Sequence, residues 1–263
     1  MEVLSLKGRT AIIYRLGDGL VGKIPWPVKS QDLTAEFQKA MVVEKQILEN
    51  LQERGTHPGI IRYHGPCITK GRLDGLTLSE ANCGDLQSFL DREDINIDIT
   101  TRKRWALQLA QALAYIHEMG IVHKNLSTTN VLLHEADNVV DIVLADFGAS
   151  QWLELNICGD LVPDDPYRDP RLNEFHSARV DVFSLGVIIY IIMTGHYPFH
   201  GSPAPENDEM FEYGMRVQTL YQEGGFPDLS DVTFGTIIAG CCCERRFETA
   251  KEVVNALLHE NID

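Results

Sequence analysis

The order of secondary-structure patterns is the feature that most restricts what this chain can fold into. Residues 1–28 contain three short β-rich runs, VLSL, AIIYRL and LVGKI, which are separated by glycine-containing turns. A long helical pattern follows over residues 33–53, and two further strands are predicted at 60–63 and 75–79. Beyond residue 80 the pattern is mainly helical. The change from strands to helices predicts two lobes that meet near residue 80.

The long helix carries one charge in an unexpected place. Asp32 or Thr34 is the expected N-cap, and Gly55 is the expected stop. Glu44 falls at helical spacing on the apolar face, which is otherwise formed by Phe37, Met41, Leu48 and Leu51. An unpaired buried carboxylate costs several kcal/mol, so Glu44 is expected to meet a cation from another element.

The second part of the chain contains two strong helical patterns and one hairpin. The stretch 101–119 places Trp105, Leu109, Ala112 and Ile116 on one face. Residues 130–133 and 139–145 alternate as the strands of a hairpin. The apolar run 182–193 is too short to cross a bilayer and contains Ser184, so it predicts a buried helix.

Composition and charge exclude several classes of partner. The chain has 263 residues and a formal net charge of −15, which argues against binding to nucleic acid or to an anionic membrane. The start of the chain has no apolar stretch typical of a signal peptide. Six cysteines include the run Cys241–Cys243 but no CxxC pair, so we expect reduced thiols, a core helix at that run and a cytoplasmic location.

Two short motifs follow one another on either side of the predicted hairpin. From residue 121 the chain reads IVHKNLSTTNVLL, and from residue 145 it reads ADFG, with the predicted hairpin between them. These segments resemble the catalytic loop H-R-D-L-x-x-x-N and the metal-binding D-F-G of eukaryotic protein kinases. Both motifs in the family's order are far more specific than either alone. The stretch 167–170 also resembles expanded fungal kinase-like families.

The resemblance covers nearly the whole chain and implies a fold. It implies an α+β, bilobal protein-kinase-like fold, in which the N-lobe (1–79) is a small antiparallel sheet with one main helix. Residues 80–84 resemble the hinge, with Ser79 as gatekeeper, and 85–263 would form a larger helical C-lobe. The sequence DVFSLG from Asp181 resembles the start of the family's central buried helix.

The resemblance also assigns ATP and Mg²⁺ as cofactors and names the residues that would hold them. Lys23 would hold the α- and β-phosphates, and Glu44 would hold Lys23 in place. Asp146 and Asn130 would be the metal ligands, since Mg²⁺ prefers oxygen donors. The expected nucleotide-binding residues, which include Lys23 itself, are Gly8, Ile13, Val21, Lys23, Glu80, Asn82 and Leu132. His123 is expected to pack in the regulatory spine with Phe147 and Leu48 rather than to move a proton.

Three segments depart from the family pattern, and the first is the loop over the phosphates. Kinases cover the phosphates with G-x-G-x-x-G, whereas the aligned loop keeps only Gly8. Glycines let backbone N–H groups approach phosphate closely. Leu6 and Ala11, at the other glycine positions, would hold the loop further away and weaken nucleotide binding.

The second departure lies in the catalytic loop. Asn125 occupies the position of the Asp that accepts the proton of the substrate hydroxyl, and a neutral amide is no general base. Lys124 replaces the Arg that pairs with a phosphate on the activation segment, and lysine lacks the bidentate fork.

The third departure is in the activation segment, residues 146–170. The segment contains one Ser, one Tyr and no Thr. The usual A-P-E ends as Asp169-Pro170-Arg171, so Arg171 would repel Arg245 or Arg246 where the family has an ion pair. We expect that pair to be absent or re-formed, with Glu174 as a candidate partner.

Two main functions remain open from the sequence. The first is an ATP-binding pseudokinase with weak or no phosphoryl transfer, which acts as a signalling scaffold or allosteric partner of another protein. The second is an active but slow serine/threonine-type kinase that phosphorylates a protein hydroxyl. A small-molecule kinase of related fold is a third reading, based on fold-level analogy alone.

Overall fold

The computed structural model describes residues 2–5, 8, 10–69, 72–92, 94–201, 204–205 and 207–260. The strands in chain order are β1 (Glu2–Ser5), β2 (Ala11–Gly17), β3 (Leu20–Pro25), β4 (Tyr63–Thr69), β5 (Arg72–Ser79), β6 (Ile121–Val122), β7 (Val131–Ala136), β8 (Val139–Leu144), β9 (Gln151–Trp152) and β10 (Ile157–Cys158). The helices are α1 (Gln31–Arg54), α2 (Leu86–Leu90), α3 (Ile99–Glu118), α4 (Arg179–Thr194), α5 (Asn207–Gln222), α6 (Gly235–Cys242) and α7 (Ala250–Glu260). This is the expected α+β arrangement, with an antiparallel sheet first and a mainly helical lobe after it.

The first lobe is a five-stranded antiparallel sheet with the strand order β1-β2-β3-β5-β4. Strand β3 is central, and Lys23 pairs with Ile13 of β2 on one side and with Leu76 of β5 on the other. Gly75 makes this close approach possible, because a Cβ atom there would lie 2.0 Å from the Lys23 carbonyl oxygen. The sheet therefore fixes the backbone of Lys23 from both sides.

Helix α1 is the main helix of this lobe, and it begins slightly earlier than predicted. Its N-cap is Ser30, whose hydroxyl accepts a hydrogen bond from the Leu33 N–H, rather than Asp32 or Thr34. Gly55 ends the helix, as expected. Glu44 is fully buried on the face that packs into the core.

The strand prediction for residues 60–63 was wrong in its position. Strand β4 begins at Tyr63, and Ile60 forms only an isolated bridge with Leu144 of β8. The β7–β8 hairpin lies close to its prediction and turns at Asp137 and Asn138, whose φ angles are both positive. Such a turn matches the twist of the flanking strands.

The second lobe is built around α3 and α4. Trp105, Leu109, Ala112 and Ile116 of α3 are all at most 1% exposed, as their spacing predicts. Helix α4 is buried over almost its whole length and packs against α6 at Gly186, where a Cβ atom would lie 2.4 Å from the Cβ atom of Cys241. Cys241 and Cys242 are buried core residues, as expected for a cysteine run in a core helix. None of the helices in the described part of the chain is both long and apolar enough to cross a membrane.

Candidate active site

Lys23 of the first lobe contacts one carboxylate in each lobe. Lys23 Nζ lies 2.6 Å from Glu44 Oε2 and 2.7 Å from Asp146 Oδ1. The Lys23 side chain is 7% exposed, Glu44 is fully buried, and Asp146 is 32% exposed toward the cleft. Glu44 thus receives the cation that its position on an apolar helix face required.

The pKa values of these groups follow from burial and from their mutual attraction. Burial lowers the pKa of Lys23, but the nearby Asp146 and Glu44 carboxylates outweigh it and raise that pKa, so the lysine is charged. Burial also opposes ionisation of Asp146, yet the Lys23 ammonium holds the pKa of Asp146 below its usual value. Burial raises the pKa of Glu44 despite the contact with Lys23. The Lys23–Asp146 contact is therefore an ion pair at neutral pH.

Asp146 is aimed into the cleft by its backbone. Its φ and ψ are 61° and 71°, and it caps the 3-10 turn Phe147–Ala149. The following Phe147 is fully buried, and its ring lies 5.1 Å from that of His123. His123 contacts the Ala145 carbonyl oxygen through Nε2 at 3.0 Å, and burial lowers its pKa. A buried neutral imidazole in this position packs and holds the loop, in agreement with the prediction.

Asp181 anchors the catalytic loop, a role that the sequence interpretation missed. Its carboxylate accepts hydrogen bonds from the backbone N–H groups of His123 (2.7 Å) and Lys124 (2.8 Å). It also lies 3.0 Å from His117 Nε2. A carboxylate in the first turn of a helix that is otherwise apolar is the signal that marks such a residue.

Asn125 and Asn130 lie together at the end of this loop. Asn130 Nδ2 donates to the Asn125 carbonyl oxygen at 2.8 Å, which leaves the Asn130 amide oxygen as the atom that could ligate a metal. Asp146 supplies a carboxylate to the same cleft. Two hard oxygen donors on separate loops suit Mg²⁺, which keeps few protein contacts and binds phosphate and water with the rest.

The residues expected to enclose an adenine lie on β2, β3 and β7. Val21 of β3 is 7% exposed, and Ile13 of β2 and Leu132 of β7 are half-buried beside the core. Glu80 donates its backbone N–H to Gly19, and its carboxylate binds Arg15. These contacts tie the hinge to the β2–β3 turn.

The side chains of Asn82 in the hinge and of Ser79 at the end of β5 both bond to other protein groups. The Asn82 amide pairs with the backbone of Glu135 through both its nitrogen (3.1 Å) and its oxygen (2.7 Å), so Asn82 can offer a nucleotide only its main chain. The Ser79 hydroxyl contacts the exposed His64 at 2.8 Å. Leu78, which pairs with Val21 of β3 and is 5% exposed, is the buried side chain at this end of β5.

The glycine-poor loop is held by a tryptophan. Trp26 Nε1 donates to the Gly8 carbonyl oxygen at 2.8 Å, and the Trp26 backbone N–H donates to Thr10. Ala11 is 2% exposed and begins β2, so its methyl group packs inward. Leu6, the other departure from the glycine pattern, lies outside the described residues. Gly8 and Thr10, both described residues of this loop, are therefore bonded to Trp26, which follows β3.

Asp169 offsets the repulsion that the sequence predicts between Arg171 and an arginine near the end of the chain. Asp169, 4% exposed, accepts hydrogen bonds from Arg171 Nε (2.8 Å) and the Arg171 backbone N–H (3.0 Å). Its other oxygen lies 3.5 Å from Arg245 Nε. Asp169 thus stands between two arginines that would otherwise repel each other, whereas the candidate partner Glu174 is exposed. The ion pair is re-formed with its acid two residues earlier than the family pattern places it.

Comparison with known proteins agrees with this geometry. Dual specificity testis-specific protein kinase 2 of Mus musculus is 31% identical over 154 residues, which cover 53% of this chain and 25% of that protein. Serine/threonine-protein kinase ATG1c of Arabidopsis thaliana is 28% identical over 201 residues, or 75% of this chain and 26% of that protein. Myosin light chain kinase A of Dictyostelium discoideum is 27% identical over 230 residues, or 82% and 72%.

The chain spans about a quarter of the length of the mouse and Arabidopsis relatives. The family profile for the protein kinase domain matches residues 26–262. That match begins after Lys23, so the place of Lys23 in the site rests on its contacts with Glu44 and Asp146. With the match extending over most of the 263 residues, the chain belongs to the protein kinase domain family.

Proposed function

We propose that this domain binds MgATP in the cleft between its lobes and transfers phosphate weakly or not at all. It would act in the cytoplasm as a signalling scaffold or allosteric partner of another protein. The observation that carries the proposal is the assembled Lys23–Glu44–Asp146 contact beside an asparagine at the position of the catalytic base.

Nucleotide binding follows from the residues that are already in place. Lys23 would hold the α- and β-phosphates, and Glu44 keeps the ammonium from turning away. Asp146 and Asn130 would hold Mg²⁺, which would neutralise phosphate charge when bound. Ile13, Val21 and Leu132 would enclose the base, and the backbone of Ala81 and Asn82 offers polar groups at its edge.

Impaired transfer follows from Asn125. An amide can orient a hydroxyl by a hydrogen bond but cannot take its proton. General base catalysis contributes roughly 10²- to 10⁴-fold in enzymes. Without general base catalysis, positioning and charge neutralisation remain in place. The domain would therefore bind MgATP but transfer its phosphate weakly or not at all.

An active but slow serine/threonine-type kinase is the second candidate. It is favoured by the preserved ion pair, by the close packing of His123 on Phe147 and by the kinases among its relatives. Phosphoryl transfer depends mostly on positioning, so an assembled site without a general base can still turn over slowly.

Calorimetry and a transfer assay with radiolabelled ATP test the proposal on the same preparations. MgATP should bind wild type and raise its free energy of unfolding by RT ln(1 + [L]/Kd), about 2.7 kcal/mol at a concentration one hundred times Kd. Lys23→Met should abolish the rise and Asp146→Ala should reduce it. No heat of binding and no stabilisation at millimolar MgATP would remove nucleotide from the function. Slow but sustained transfer to a protein substrate, lost in Asp146→Ala, would favour the second candidate.

A further inference from the structure

We propose that the activation segment holds helix α1, and with it Glu44, in the paired position through its own acidic residues, with no phosphate on the segment. Asp160 and Glu154 are the positioning residues on the segment, and Lys39 and Arg54 are their partners on α1. The proposal concerns control of the site and goes beyond nucleotide binding.

The hydroxyls of the segment are withdrawn from solvent. Residues 146–170 contain only Ser150 and Tyr167 as phosphate acceptors. Ser150 is fully buried and donates to the His123 carbonyl oxygen at 3.2 Å. Tyr167 is 4% exposed, and its hydroxyl lies 2.5 Å from Thr128 Oγ1. A protein kinase could reach neither hydroxyl while the segment is folded.

Lys124, the lysine that could bind a phosphate on the segment, already has a hydrogen-bond partner. Lys124 is 3% exposed, and its Nζ donates to the Gly159 carbonyl oxygen at 2.7 Å. Gly159 in turn lies against the turn that follows Asp146, where a Cβ atom would be 2.5 Å from the Gly148 carbonyl oxygen. Lys124 therefore fastens the segment to the catalytic loop through a backbone group.

The first contact with α1 lies on the N-terminal side of Glu44. Lys39 Nζ is 2.6 Å from both carboxylate oxygens of Asp160, the residue that follows Gly159. One residue further along the helix, Ala40 meets the same turn, because a Cβ atom at Gly148 would lie 3.1 Å from the Ala40 Cβ atom. The segment and the helix are thus joined by a charge pair next to a packed contact.

The second contact lies at the other end of the helix. Arg54 forms a forked pair with Glu154, at 3.0 and 3.4 Å, and its guanidinium lies 4.7 Å from the centre of the buried Trp152 ring. Lys39 and Arg54 are fifteen residues apart, or about 22 Å along a helix. Glu44 lies between them. The segment therefore holds the helix on both sides of the residue that fixes Lys23.

A hydrogen-exchange experiment tests this arrangement without nucleotide. Lys39→Glu puts like charges at the first contact and should speed exchange by about 3- to 10-fold in amides around Glu44 and in residues 148–160. The double variant Lys39→Glu with Asp160→Lys restores an opposite-charge pair and should restore wild-type exchange. Lys45→Glu is the matched control, because Lys45 is equally exposed on α1 but pairs with Glu49 within the helix.

Exchange in Lys39→Glu no faster than in Lys45→Glu, or no recovery in the double variant, would overturn the proposal. Faster exchange after treatment of the wild type with a broad-specificity phosphatase would also overturn it. The affinity for MgATP should fall in Lys39→Glu as exchange becomes faster, and it should recover in the double variant. If wild type binds no MgATP, the proposed function fails, while the exchange data still decide whether the segment holds the helix.

Discussion

Asn130 Nδ2 donates a hydrogen bond of 2.8 Å to the backbone carbonyl oxygen of Asn125. This bond fixes the backbone of Asn125, the residue that we propose replaces the catalytic base, next to Asn130, a candidate metal ligand. The Asn125 side chain is free of this bond and half-buried at the cleft. A carboxylate substituted at position 125 would therefore extend from a backbone that is already fixed by this bond.

Asn125→Asp should increase transfer of the ATP γ-phosphate to a generic protein substrate by about 10- to 1000-fold, within the range of general base catalysis. The gain should appear in kcat, because the proton moves only as the phosphoryl group is captured. A radiolabelled transfer assay measures it, with Asn125→Asp combined with Lys23→Met as the inactive control.

Two outcomes would contradict this account of Asn125. If the variant binds MgATP but stays as silent as wild type, the defect lies elsewhere, in the loop at Gly8 or in the segment near Arg171. If wild type is already fast and the substitution changes nothing, Asn125 is not at the position of the base.

Asp169→Asn should destabilise the domain by about 2–4 kcal/mol, because it leaves Arg171 and Arg245 together without an anion. Arg171 and Arg245 are 20% and 32% exposed, which keeps the expected loss below that of a fully buried pair. Urea unfolding measures the effect. Glu174→Gln is the control, since Glu174 is exposed, and it should change stability by less than about 0.5 kcal/mol.

The parts of the site that could be predicted are those marked by a local sequence pattern, either a helical period or a short motif. The period of α1 placed Glu44 on the apolar face, and the cost of burying it required a cation. Motif spacing then supplied Asp146 and Asn130. Each of these inferences uses residues that are near one another in sequence or that stand in a fixed order.

The missed parts depend on residues that only folding brings together. Asp169 meets Arg245 across the second lobe, and Lys39 meets Asp160 across more than a hundred residues. The cap of α1 was missed for a different reason. Ser30, Asp32 and Thr34 all have capping side chains, and propensity does not choose among them.

The pH dependence of stability should contain a contribution from His123. Burial lowers its pKa in the folded state, so below about pH 6.5 the unfolded chain binds a proton that the folded chain does not. Stability contributed by neutral His123 is therefore present above that pH and is lost as pH falls toward the folded pKa, by up to about 1.4 kcal/mol per unit.

Urea unfolding between pH 7 and pH 5 checks this sign. His123→Phe keeps a ring against Phe147 and should flatten the slope, although it loses the bond to Ala145. His259→Gln, at an exposed position, should leave the slope of stability against pH unchanged. An unchanged slope in His123→Phe would show that His123 does not carry this dependence, and His57, whose pKa is also lowered by burial, would become the candidate.

Gly159→Ala should separate the activation segment from the turn at Gly148. The added methyl group would lie 2.5 Å from the Gly148 carbonyl oxygen and 2.6 Å from the Ala149 carbonyl carbon, both backbone atoms that cannot swing aside. We expect a loss of about 1–3 kcal/mol in stability, as for overpacked cores, and a weaker affinity for MgATP because Asp146 sits on the displaced turn. Gly201→Ala, where no atom of the described residues lies within 4 Å of the added methyl group, is the control and should leave both quantities unchanged. Wild-type stability and affinity in Gly159→Ala would mean that the segment does not need its close approach to the Asp146 turn.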